Sequence, residues 1–161
     1  MSSHKAIIDW RFSGGDFVHG KYSREHTWSF DGGLTVPASP SPSVVPVPHS
    51  NPANVDPEEA FVAAISSCHM LTFLFLASRA GFVVQSYRDE AIGHLTKNEK
   101  RIPWVSSVEL HPVIAYGDKA PTHEEEERLH HDAHEGCFIS NSVKTEIRVV
   151  TAGRSADNLK A

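Results

Sequence analysis

Cysteine is scarce in this chain: Cys68 and Cys137 are the only two among 161 residues. Two cysteines cannot build a disulfide scaffold. A chain of this length does not need one, because a domain near this size hides roughly 70% of the surface its unfolded form exposes. No Cys-x-x-Cys occurs, which excludes a thioredoxin-type motif. Neither a Gly-x-Ser-x-Gly elbow nor a Walker or dinucleotide-binding glycine motif is present, which removes the common hydrolase and nucleotide-binding signatures. Basic residues are in the minority, 15 against 20 acidic ones, and the net charge of −5 argues against a nucleic-acid partner. Met1 to Lys5 are not followed by the apolar run of a secretory signal, which predicts a reducing cytoplasmic setting. There, two cysteines are either inert packing residues or a working thiol pair.

The chain reads as a single α+β domain with three segments. Residues 5–36 have the composition of a small antiparallel meander, with strands at Ala6–Phe12, Phe17–His19 and Thr27–Phe30 and turns at Gly14-Gly15-Asp16 and Asp31-Gly32-Gly33. Residues 37–57 hold seven of the ten prolines, so a long extended loop is expected over 37–55, either a linker or an arm lying over a site. The helix and sheet core is expected over 56–151. Asp56, Pro57 and Glu59 supply a capping box and a first-turn proline, and Gly81 is the natural stop after the nearly all-apolar run Ala60 to Ala80. Ser66-Ser67-Cys68-His69 interrupts that run, so no membrane span is expected. Tyr87–Leu95 and Trp104–Tyr116 read as two antiparallel strands around a turn at Lys97–Lys100. A second helix is predicted over Thr122 to Gly136, capped by Thr122 and Glu125, then a turn over Phe138–Val143 and a last strand over Lys144–Val150. The tail after Thr151 is read as frayed.

The second helix has a thin apolar stripe, Leu129, Ala133 and Cys137, which turns Cys137 toward the core. Cys68 sits about three turns into the first helix. It is a packed core thiol on one reading, but polar Ser66, Ser67 and His69 around it argue for chemistry. A reactive thiol needs a nearby cation, and Arg11, Arg24, Arg79 and Arg88 are available. His130, His134 and Cys137, spaced i, i+4, i+7, with His131 beside them, form a possible metal set. A solvated polar face explains these histidines more simply, and no metal or cofactor is expected.

The segment Asp56-Pro57-Glu58-Glu59 through Ser66-Ser67-Cys68-His69-Met70 resembles the first cysteine segment of the osmotically inducible protein C (OsmC) and organic hydroperoxide resistance (Ohr) family. His134-Glu135-Gly136-Cys137 through Val143 resembles the second, and Tyr22-Ser23-Arg24-Glu25-His26 resembles the N-terminal arginine segment of the OsmC-like branch. The resemblance covers nearly the whole chain. It implies two long helices packed on curved antiparallel sheets in an intertwined homodimer. It also implies a cofactor-free thiol peroxidase, with Cys68 as attacking thiolate, Cys137 as resolving thiol, Glu58 as the active-site glutamate and Arg24 as the thiolate's guanidinium, with Arg11 as fallback. Phe61, Ile65, Leu71 and Phe75 would suit the alkyl chain of an organic hydroperoxide. The reductant would be a lipoyl protein, thioredoxin or a small thiol.

If Glu58 and Cys68 share one helix, ten residues put them roughly 15 Å apart along its axis. Glu58 then acts either through a bridging Arg24 or on a second subunit's cysteine, which favours a site at a dimer interface. Two rivals share the residues: a non-catalytic OsmC-like stress or binding protein, and a His/Cys metal protein.

Overall fold

A computed structural model describes residues 2–151; the expected frayed tail lies outside the described residues. The chain forms two compact units, Met1–Ala60 and Phe61–Ala161.

The first unit holds a three-stranded antiparallel sheet, β1 (Ala6–Asp9), β2 (His26–Phe30) and β3 (Thr35–Ala38), in that order. β3 contains Pro37 and escaped the proline-based reading. It is an edge strand, the place in a sheet where a missing N–H costs least. Phe17–His19 forms a turn rather than a strand, closed by an Asp16–Lys21 bridge. Gly15 takes φ +102° there, and a Cβ would lie 2.2 Å from the Lys21 carbonyl oxygen, so only glycine fits. The proline-rich loop is a folded part of this unit. Ser39 is fully buried and its Oγ accepts the Asn51 N–H at 2.8 Å, while Asn51 and Asn54 donate their side-chain amides to Glu25 Oε2.

Helix α1 spans Pro57–Arg79. Its capping box forms as expected: the Glu59 N–H donates to Asp56 Oδ1 at 2.8 Å and the Asp56 N–H to Glu59 Oε2 at 3.2 Å. At the other end Gly81, at φ +83°, donates to the Ser78 carbonyl and Phe82 to the Ala77 carbonyl, a Schellman stop.

In the second unit the two long strands expected from the sequence are each broken in two. β4 (Val84–Asp89) pairs with β7 (Pro112–Tyr116), and β5 (Ile92–Lys97) with β6 (Pro103–Leu110). Pro112 has no N–H to give to the ladder, and the Asp89 carboxylate takes the His111 N–H instead, at 2.6 Å. β8 (Glu146–Val149) adds to β6 in parallel, unlike the other pairings. Helix α2 (His123–Gly136) carries the expected Thr122–Glu125 capping box.

Two apolar clusters hold this unit. Phe73, Ala77, Phe82, Leu129 and Ala133 pack α1 to α2 and to β4 and β7. Ile65, Val108 and Leu110, with Phe61 and Val62, pack α1 on β6 and β8. α1 is long and apolar enough to cross a membrane by length and composition, yet its Ile65–His69–Phe73–Ala77 stripe is the spine of these clusters.

Candidate active site

α1 turns its buried stripe at four-residue steps, and Cys68 stands about 100° to one side of it, half-buried. α2 buries Leu129 and Ala133, and Cys137 continues that stripe as the residue that caps the helix, fully buried. The chain then folds back on itself. The Asn141 N–H and its side-chain amide both reach the Cys137 carbonyl, and Ser140–Ser142 form a single 3-10 turn. This return points backbone N–H groups at the sulfurs; that of Ser140 lies 3.4 Å from Cys137 Sγ.

The two thiols lie near enough to act on each other's ionisation, and both are free. Burial pushes the Cys68 thiol up, and the neighbouring Cys137 adds to this, against the backbone N–H groups of Ile139 and Phe138. Burial also works against ionising Cys137. There, however, the neighbouring Cys68, Ser140 and the Ile139 N–H outweigh it and pull the thiol below its ordinary value. The two thiols are thus shifted in opposite directions, Cys68 up and Cys137 down. A depressed Cys68 thiol, which the attacking role implies, is absent from the resting pair.

The other residues singled out in the sequence fall in several places. Ile65 and Phe61 belong to the apolar cluster on β6 and β8. Leu71 and Phe75 are exposed, and the Arg79 guanidinium lies 5.7 Å from the Phe75 ring centre. Glu58 is in the first turn of α1, so it shares a helix with Cys68. In the first unit the Arg24 guanidinium donates to the Gly20 and Tyr22 carbonyls and covers the Tyr22 ring at 4.1 Å. Arg11 is well exposed beside Asp9.

Two groups near the thiols were not legible in the sequence. Ser66 Oγ donates to Asp89 Oδ2 at 2.5 Å, tying α1 to the end of β4. His69 and His130 are both buried and share a hydrogen bond, His69 Nε2 to His130 Nδ1 at 3.0 Å. His130 is thus not on a solvated face, although its neighbour His131 is. Among the described residues no group of three or more His, Cys, Asp or Glu side chains is placed to hold a metal ion.

A two-helix α+β fold that brings two free thiols together defines a class, and comparison with known proteins identifies it. The model of the OsmC-like protein family matches residues 49–152, and the chain belongs to that family. An OsmC-like protein of unknown function from Vibrio cholerae O1 is 51% identical, with a TM-score of 0.91 over 94% of this chain and all of that one. Two more distant structures share the fold. An organic hydroperoxide resistance protein from Elizabethkingia anophelis is 20% identical (TM-score 0.70, 96% and 98% covered). One from Legionella pneumophila is 17% identical (TM-score 0.68, 94% and 99% covered). No curated protein matches this chain.

Proposed function

We propose that this protein is a cysteine-based thiol peroxidase that reduces organic hydroperoxides to alcohols. The observation that carries the reading is the juxtaposition of Cys68 and Cys137, each acting on the other's ionisation, beside a turn that aims the Ser140 N–H at Cys137 Sγ. Membership of the OsmC-like family, which has structural neighbours named for organic hydroperoxide resistance, supports it.

The pair carries one proton and one negative charge when ionised once. Passing the proton from Cys68 to Cys137 puts the thiolate on Cys68, the less buried of the two residues. That thiolate attacks the distal peroxide oxygen; an S–O bond forms, the O–O bond breaks, and the departing alkoxide takes the Cys137 proton as alcohol. The Cys137 thiolate then attacks the Cys68 sulfenic acid, forms the disulfide and releases hydroxide. A dithiol or small thiol (a lipoyl protein, thioredoxin) returns the two electrons. Arg24 serves to hold the negative charge on Cys68, with Glu58 fixing its fork. The rise along α1 sets Glu58 well away from its own chain's Cys68, which favours Glu58 of the partner subunit in a homodimer. The exposed Leu71 and Phe75 on an otherwise apolar helix fit such an interface, or the alkyl chain of the substrate beside Phe61 and Ile65. The setting that suits the cycle is a reducing cytoplasm.

The raised Cys68 thiol favours one second reading, a non-catalytic family member whose thiols only pack. Peroxidase assays with cumene hydroperoxide and dithiothreitol separate the two. Turnover is expected in the wild type, and Glu58→Gln should lower it about tenfold, near the low end of what a hydrogen bond to a charged group contributes. Consumption no faster than in buffer supports the packing role, and an unchanged Glu58→Gln rate removes Glu58 from the site.

A further inference from the structure

The buried His69–His130 pair has no part in the cycle just described, and stability does not explain it. His69 is fully buried and His130 is 4% exposed, yet His69 Nδ1 and His130 Nε2 have no hydrogen-bond partner. Two neutral imidazoles share one N–H···N bond, so an unsatisfied donor or acceptor is left at each far end. Apolar residues of similar volume would avoid that penalty. The bond itself is well formed. The ring planes are 7° apart, and the centroid separation of 5.4 Å is what a 3.0 Å bond plus two imidazole radii gives. The bond therefore runs along the common plane of both rings, in the direction of the lone pair.

Its place in the fold is what matters. His69 follows Cys68 directly on α1. His130 precedes Cys137 by seven residues, two turns along the same face of α2. The same pair of helices meets at the Phe73 and His130 rings, with centroids 4.4 Å apart, and at Gly136, where a Cβ would lie 3.3 Å from Thr72 Cγ2. Apolar contacts alone tolerate sliding between helices. A linear hydrogen bond of fixed length does not, and a buried polar pair is a known way to fix register.

We propose that His69 and His130 are positioning residues whose hydrogen bond sets the register of α1 against α2 and thereby holds the Cys68 and Cys137 sulfurs at disulfide-forming distance. This deepens the thiol-peroxidase reading and rests on it. The ligand is the protein's own second thiol, and the quantity controlled is the effective concentration of one sulfur at the other.

Equilibration of the full chain in glutathione buffers, with the Cys68–Cys137 disulfide quantified by mass spectrometry after alkylation, tests this apart from peroxidase activity. His130→Leu should lower the disulfide equilibrium constant by about tenfold, roughly 30 mV for a two-electron couple. His130→Asn and His69→Gln, which put an amide atom where the bonded ring nitrogens lie, should keep the constant within about threefold of wild type. His69→Leu breaks the same bond from the other helix and serves if His130→Leu does not fold. A leucine variant with the wild-type constant overturns the inference while leaving the redox pair intact. A wild type that forms no Cys68–Cys137 disulfide overturns both.

Discussion

Cys68→Ser lowers the rate of cumene hydroperoxide consumption by at least about 10³-fold, the loss expected when a covalent nucleophile is replaced by a hydroxyl. The expectation rests on access rather than on charge. The Cys137 thiol is the one pulled down, but that residue is fully buried, whereas Cys68 is half-buried. Cys137→Ser should behave differently. It keeps a hydroxyl beside Cys68, so the first equivalent of peroxide is still reduced. Without a resolving thiol, the Cys68 sulfenic acid persists and further peroxide drives it to the sulfinic acid. Single-turnover assays with intact-mass measurement read both outcomes. The reverse pattern, loss with Cys137→Ser and retention with Cys68→Ser, exchanges the two roles.

The second large effect is on stability. Burial, then the charge of His134, lowers the His69 pKa to about 4, with Asp89 acting in the opposite direction. Burial, then the charge of His69, lowers that of His130 to about 3. An unfolded histidine titrates near 6.5, so between these values the unfolded chain binds protons that the native pair refuses. Histidine protonation therefore takes nothing from folding above about pH 6.5, and folding stability falls as the pH drops from there toward 3–4. For His69 alone the difference is on the order of 3 kcal/mol, and for a chain of this size each kcal/mol moves Tm by about 2–4 °C. The Tm drop between pH 7 and pH 4 should accordingly be smaller in the double variant His69→Gln/His130→Asn than in the wild type, by roughly 6–12 °C. Calorimetry across that range checks it. Identical pH profiles for the two proteins would mean that the imidazoles are protonated in the folded state at ordinary values.

The same two histidines mark where sequence reasoning stopped. Signals carried within a few residues were legible. The Asp56–Glu59 and Thr122–Glu125 boxes, the Gly81 stop and the inward turn of Cys137 are where their local patterns put them. Features that need two distant segments were not. His69 and His130 are 61 residues apart, and nothing in either helix alone says that an imidazole will bury its ring against another. His130 looked solvated because α2 has a thin apolar stripe and histidine is at home on either face. The breaks that split two long strands into four depend on Asp89 meeting His111 across the sheet. Strand β3 was hidden by Pro37, whose usual meaning gives way at a sheet edge. The thiols were legible as a pair by family resemblance. Which of them holds the proton depends on burial and on the N–H groups of residues 138–140, which only the folded turn supplies.

Cys68 and Cys137 are proposed to act on peroxide as a two-electron pair. The direct measurement is to add one equivalent of cumene hydroperoxide to the fully reduced protein, count free thiols and map the digest by mass spectrometry. The expected result is the loss of two thiols and the release of one cumyl alcohol per chain, with a single new peptide joined through Cys68 and Cys137. Two free thiols and unreacted hydroperoxide would contradict it.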